Sequence, residues 1–185
     1  MYCIKELKKQ LPSVIDDTYK LRLLDYGDID WYIDFFLTDY FKKYQDDRIS
    51  EDDRVSIKVG LTNTVAAYRV GLKQSGAMRL VLEDLDTENC VGGCTIYERE
   101  NNSLELGYWI LPAYSGKGLA KKLVKQATDI VKELDNFSEV YVEIRCDNKA
   151  SNCVAEECGY KLLREIDGKY TKNLIYNIRW WDCDK

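Results

Sequence analysis

The chain has 185 residues, 45% of them apolar, and a formal net charge of −5 with a pI of about 5.0. That composition can bury one full core in a single domain, and its acidic balance disfavours broad nucleic-acid binding while suiting a basic amine or peptide. No apolar run reaches the roughly 20 residues of a membrane-spanning helix and no signal-peptide pattern opens the chain, so neither membrane nor nucleic acid is an expected partner and a cytoplasmic location is expected.

Residues 1–17 read as a basic amphipathic segment broken at Pro12, a helical extension ahead of a domain expected to span 18–181. Tyr19 to Leu24 alternates as a first strand. Asp28 to Gln45 is an aromatic-rich helical stretch divided near Thr38, and its rings read as core and cleft lining rather than a platform for stacking bases. The acids Glu51, Asp52 and Asp53 start a helix that continues from Val55 to Lys73 through Val55, Val59, Leu61, Val65 and Val70. Met78 to Leu82 and Cys90 to Tyr97 read as an antiparallel pair, with Gly92 and Gly93 marking a bulge or a close backbone approach. Val140 to Cys146 is a further strand. Asn148 fits the N-cap and Gly159 the C′ position of a helix from Lys149 to Cys158. Tyr160 to Ile166 and Tyr170 to Trp180 close as a hairpin around Asp167-Gly168. Seven cysteines without a histidine, and without a C-x-x-C pair, argue against zinc. They read as reduced thiols, and no metal is expected.

The stretch from Leu104 to Leu134 carries the functional signal. Leu104, Leu106, Tyr108 and Ile110 form one apolar strand face, and Glu105, Gly107 and Trp109 point the other way. The strand runs through Ser115-Gly116-Lys117-Gly118 into a helix with Lys117, Lys121 and Lys125 on one face and Lys122 beside them. Small residues let successive N–H groups converge on one anion at a helix N-terminus. Cations there oppose the macrodipole, so local helix stability does not explain them. A polyanionic ligand does, and so does a plain solvated lysine face. Lys117 is followed by Gly118-Leu119, which is not a P-loop, and the third glycine of a dinucleotide fingerprint is missing.

These residues resemble the GNAT N-acetyltransferases. Gly116 and Gly118 match that family's Gln/Arg-x-x-Gly-x-Gly/Ala turn, with Ala113 at the Gln/Arg position. A second block, Arg145-Cys146-Asp147-Asn148-Lys149-Ala150-Ser151-Asn152 with Gly159-Tyr160 after it, is similar to the ribosomal-protein N-terminal (RimJ/RimL-like) branch. The resemblance covers roughly Leu21 to Trp180. It implies an α/β fold, one domain with a mixed, partly antiparallel central sheet flanked by helices, and acetyl-coenzyme A as cosubstrate. It further implies that backbone groups of Trp109, Ile110 and Leu111 pair with the pantetheine amides, and that Ser115, Gly116, Lys117, Gly118, Leu119 and Ala120 take the pyrophosphate. Asn148 would hold the pantetheine arm, although N-capping alone also explains it. Where many relatives place a tyrosine beside the leaving sulfur, this chain has Ala155; Ser151 is the expected substitute, or simply a second capping hydroxyl.

Acyl transfer from a thioester to an amine needs the amine neutral. At pH 7 that costs about 1 kcal/mol for an α-amino group and about 4.6 kcal/mol for a lysine-like amine. One carboxylate, directly or through a water, suffices for the first. Glu105 is the candidate base by strand parity; the alternative is a surface carboxylate, and Pro112 stands where the branch often carries an acid. The expected activity is acetyl transfer from acetyl-coenzyme A to a primary amine, a protein or peptide N-terminus, directly in a ternary complex formed by a monomer or homodimer. Lys172, four residues before Tyr176, departs from the acid usual in the peptide-acetylating branch. A small-molecule amine acceptor and a non-catalytic acyl-coenzyme A-binding module are the alternatives.

Overall fold

The computed structural model describes residues 6, 9–44, 50–71, 77–134 and 137–179. Among them eight strands, β1 (Ser13–Ile15), β2 (Tyr19–Leu23), β3 (Ala77–Asp84), β4 (Cys90–Arg99), β5 (Ser103–Ile110), β6 (Glu139–Arg145), β7 (Lys161–Asp167) and β8 (Lys172–Arg179), join in one open sheet. The order across it is β1-β2-β3-β4-β5-β6-β8-β7, and every neighbouring pair is antiparallel except β5 with β6. The helices are α1 (Ile29–Phe36), α2 (Asp39–Lys42), α3 (Arg54–Val70), α4 (Leu119–Lys132) and α5 (Lys149–Glu157). This is the mixed α/β sheet flanked by helices that the sequence implies. Among the described residues no helix is long and apolar enough to cross a membrane, and no group of three or more His, Cys, Asp or Glu could hold a metal ion.

Local chemistry accounts for most boundaries. Thr38 divides the aromatic stretch because its hydroxyl accepts from the Phe41 N–H, capping α2 as α1 ends. Gly71, at φ 67°, closes α3 in the left-handed region. Asn148 caps α5 by accepting from the Ser151 N–H, and Gly159 leaves it at φ 87°. In α4, Leu119, Leu123, Val124, Ala127, Ile130 and Val131 recur at helical spacing and are buried, which fixes that helix against the sheet.

Three expectations are corrected. The helical extension of 1–17 gives way at its C-terminal end to β1, which pairs with β2 and places Ile15 in the core; most of residues 1–8 lie outside the described residues, as do the Gln45, Lys73 and Trp180 ends of three predicted elements. The buried face of α3 is Leu61, Thr64, Val65 and Tyr68, while Val55, Val59 and Val70 are exposed. Tyr68 sets that face, since its hydroxyl accepts from the Arg79 N–H at 2.9 Å and so ties the helix to β3. Asp167-Gly168 opens a longer connection, 168–171, closed by the Gly168 N–H on the Thr171 carbonyl at 2.9 Å.

One buried charge cluster staples β2 to β3. Glu83, 6% exposed, pairs with Lys20 and Arg22, and Arg22 forks onto Asp28 at 2.7 and 2.9 Å. Burial pushes the Glu83 carboxyl up, but Lys20 and Arg22 outweigh it and hold it below its ordinary value of 4.5. A carboxyl depressed in the folded state adds stability that is complete above the unfolded value and is lost as pH falls through the folded one. Melting followed from pH 7 to about 3 is therefore expected to fall less steeply in Glu83→Gln than in the native chain. The variant starts lower at pH 7, by about 2 kcal/mol, because Lys20 loses its counter-charge and Arg22, half of whose pairing went to Glu83, keeps only Asp28.

Candidate active site

The parallel pair is the structural origin of the site. β5 and β6 are in register only at Ser103 with Glu139, Leu104 with Val140 and Glu105 with Tyr141. Beyond that they part, so Leu106–Ile110 has no partner on the β6 side. This wedge opens into a cleft of about 590 Å³ between β5, the Ser115–Lys121 turn, α2 and α5. An unpaired strand side is a ready template for a ligand that carries amides.

At the mouth, Gly116 and Gly118 take φ values of 76° and 75°, a conformation open to glycine and strained for other residues. No side chain caps α4, so its first amides are left facing the cleft end of the turn. Ser115, Gly116, Gly118, Leu119 and Ala120 all line the cleft. The lysines are less free than their spacing suggests: Lys121 pairs with Glu157 at 2.6 Å, Lys122 with Asp16, and the Lys117 ammonium lies 5.3 Å over the Tyr114 ring. What the turn leaves open at the cleft is therefore its main-chain amides more than the lysine row.

Along β5, hydrogen bonding alternates between the β4 side and the wedge side. The Leu111 N–H is taken by the Val91 carbonyl at 2.9 Å and its carbonyl by the Tyr114 N–H. Trp109 shares that parity. Of the three residues expected to offer main-chain groups to a pantetheine arm, Ile110 is the one whose carbonyl faces the wedge, where the Tyr40 hydroxyl stands 3.5 Å away. The same hydroxyl is 3.5 Å from the Ser115 Oγ, so α2 reaches over the mouth.

Asn148 and Ser151 line the opposite wall. Sequence parity assigned Tyr108 to the core, but it lines the cleft too: its hydroxyl donates to the Ser151 carbonyl at 3.0 Å, joining strand to helix across the wedge. Burial pushes this phenol well above its ordinary value, so it stays a neutral donor. The signal in the sequence is that a tyrosine, unlike leucine, brings a polar tip that needs a partner when buried.

Glu105 sits at the apex, where the strands separate, and does not line the cleft. Its Oε2 takes Arg99 Nη2 at 2.7 Å, Arg99 Nε at 2.8 Å and the Tyr141 hydroxyl at 3.2 Å. Oε1 is the oxygen left to accept from a water or an amine. Burial and the neighbouring Glu105 charge push the Tyr141 phenol up, which keeps it a donor to that carboxylate.

The other face of β5 is not the open face that parity suggested around Trp109. Its indole is 8% exposed, packed on Phe35 at 4.7 Å and Trp31 at 5.5 Å between ring centroids, with Tyr32 and Phe36 edge-on at 6.0 Å. Its Nε1 is buried without a hydrogen-bond partner. The ring lies over Gly93, where a Cβ would come within 2.7 Å of it, so the glycine pair is kept by close approach; the register shift of β3 against β4 also falls here, beside Gly92.

A family model described as an acetyltransferase (GNAT) domain matches residues 20–161. The spermidine N(1)-acetyltransferase of Vibrio cholerae is 28% identical over 120 residues, 64% of this chain and 66% of that protein, so the match spans just under two thirds of the relative's length. The solved structure of spermidine N-acetyltransferase from Vibrio cholerae with CoA and spermine is 21% identical, with a TM-score of 0.72 over 89% of this chain and 96% of the other. RimL, a ribosomal-protein α-N-acetyltransferase in complex with coenzyme A, gives 0.72 at 16% identity over 90% and 96%. The aminoglycoside acetyltransferase AAC(6')-Ib with ribostamycin and coenzyme A gives 0.73 at 11% identity over 91% and 97%. At these identities the structural likeness speaks for the fold.

Proposed function

This chain belongs to the GNAT acetyltransferase family, and from that premise we propose that it moves an acetyl group from acetyl-coenzyme A to a primary amine, the α-amine of a peptide or protein in first place, by direct transfer in a ternary complex. The observation that carries the reading is the wedge between β5 and β6 with an uncapped helix N-terminus and two left-handed glycines at its mouth. The amides of Gly116 to Lys121 would hold the diphosphate, and the open side of β5 at Ile110, with Asn148 opposite, would hold the pantetheine arm. Acetyl-coenzyme A supplies the activated acyl group; the chain's own groups orient it and manage the protons. Glu105, fixed through Oε2 by Arg99 and Tyr141, accepts the amine's proton directly or through a water at Oε1. A single carboxylate is matched to an α-amine, whose deprotonation at pH 7 costs about 1 kcal/mol, better than to an alkylamine at about 4.6 kcal/mol.

A second reading, a small-molecule amine acceptor, is favoured by the curated relative, which is a spermidine acetyltransferase. Calorimetric titration with coenzyme A, followed by thiol release from acetyl-coenzyme A with peptides, spermidine and an aminoglycoside, tests both. Heat of binding and turnover with peptides are expected; turnover confined to polyamine moves the acceptor to the second reading, binding without any release leaves a binding module, and no binding overturns the proposal. Glu105→Gln is expected to lower kcat by about 10²-fold with little change in coenzyme A affinity. An unchanged rate at neutral pH removes Glu105 as the base.

A further inference from the structure

We propose that Tyr108 is the group that stabilises the departing thiolate, its phenolic O–H turning from the Ser151 carbonyl to the coenzyme's sulfur as the thioester bond breaks. This deepens the acetyl-transfer reading and rests on the coenzyme lying in the β5–β6 wedge.

The wedge sets the depth of each group. The anion cradle is at its mouth, next to Ile110 and Ser115, and Glu105 is at its apex. A thioester running from one toward the other has its sulfur between them, and Tyr108 is the β5 residue at that depth whose side chain lines the cleft on the α4–α5 side. Its hydroxyl is already parked at that wall, 3.0 Å from the Ser151 carbonyl. In a helix the carbonyl of residue 151 faces the N–H of residue 155, so the phenol tip stands over the turn from Ser151 to Ala155. Ala155 is fully buried and offers only a methyl group there. A larger side chain at 155 would compete with the phenol for this space; alanine leaves it to Tyr108.

The electron count is simple. The amine nitrogen forms the new C–N bond, the C–S bond breaks, the sulfur keeps the bonding pair as a thiolate, and the amine's proton goes to Glu105 or its water. Tyr108 lends a hydrogen bond to the thiolate and keeps its own proton, as suits a phenol whose burial holds it neutral. The interaction is stronger to the thiolate than to the thioester, which is the condition for lowering the barrier.

Coenzyme A bound to the protein reports this without any acceptor amine, because thiolate formation is followed by ultraviolet absorbance as pH is raised. The bound thiol is expected to titrate about one unit higher in Tyr108→Phe than in the native chain, and kcat on acetyl-coenzyme A to fall by about 10²-fold with a much smaller change in KM. Monofluorotyrosine at position 108 keeps the hydroxyl and the packing while making it a stronger donor; it is expected to move the bound thiol's midpoint down. Should the phenylalanine variant fail to fold, this second variant still decides. Identical midpoints in all forms, with coenzyme A bound, overturn the role of Tyr108 alone. Failure of the native chain to bind coenzyme A overturns the acetyl-transfer reading and this role with it.

Discussion

Gly118→Val is expected to raise the dissociation constant for coenzyme A by about 10²-fold while costing the fold only about 2–3 kcal/mol. The two effects separate because of where Gly118 lies. A Cβ built there meets nothing within 4 Å, so no packing is disturbed and the penalty is conformational, that of holding an L residue at φ 75°. Left-handed backbone costs roughly 1–2 kcal/mol for an ordinary residue and more when the side chain is branched at Cβ. The chain relieves this by turning φ negative, which swings the amides at the start of α4 away from their common focus. Each charge-assisted hydrogen bond is worth about 1.5–3 kcal/mol. Losing two, at the lower end of that range because water replaces part of each, costs about 3 kcal/mol of binding, the stated factor of about 10². Calorimetry with coenzyme A and a thermal melt on the same sample measure both numbers. Unchanged affinity in a folded variant would mean that the diphosphate is not held by this turn.

That turn was legible in the sequence because a left-handed backbone has a local residue signature. Gly116, Gly118 and Gly159 all take positive φ, and Asn148 caps the helix it was assigned to. The strand and helix order was legible for the same reason, since period-two and period-3.6 patterns are properties of a few consecutive residues. What the sequence hid are the pairings made over long separations. The lysine row on α4 reads as a free basic face until Glu157 and Asp16 are brought against it. Glu105 reads as an exposed carboxylate until Arg99 and Tyr141 close on one of its oxygens. β1 is hidden because three residues are too few for a periodic signal, and its partner strand supplies the ladder.

Tyr108 and Trp109 show a further limit of parity. Alternation divides β5 correctly into two faces, but it cannot tell that both are covered. α4 and α5 pack on the Tyr108 side, and the rings of α1 on the Trp109 side. A strand buried on both faces reads from sequence as half-exposed when one face carries a carboxylate and a glycine. The cleft is then not a sheet face at all but the gap left where β6 diverges, a feature that depends on how two strands far apart in sequence are registered, Glu105 with Tyr141 being the last pair.

Gly93→Ala should be the most damaging single methyl on the sheet, lowering stability by about 3 kcal/mol, or roughly 6–12 °C in Tm for a chain of this size. The added Cβ would stand 2.5 Å from the Leu80 carbonyl oxygen and 2.7 Å from the Trp109 ring. The carbonyl belongs to β3 and cannot retreat without opening the β3–β4 ladder, so the indole is the group that yields. It has little room, being held among the rings of Trp31, Tyr32, Phe35 and Phe36. Gly107→Ala, one strand over on the same face, is the matched contrast. Its Cβ would meet nothing closer than 3.9 Å, from the Thr95 carbonyl and the Tyr97 ring, so stability should hold or rise slightly as a strand glycine is replaced. Thermal melts of the two variants therefore ask whether these glycines serve one purpose or two. A large loss at Gly93 with none at Gly107 ties the first to the seating of Trp109 and leaves the second as space beside Glu105, where the proposed acceptor amine would approach. Equal losses at both would mean that the strand tolerates no side chain on this face, and the gap between Glu105 and Trp109 would then be packing rather than a place for the acceptor.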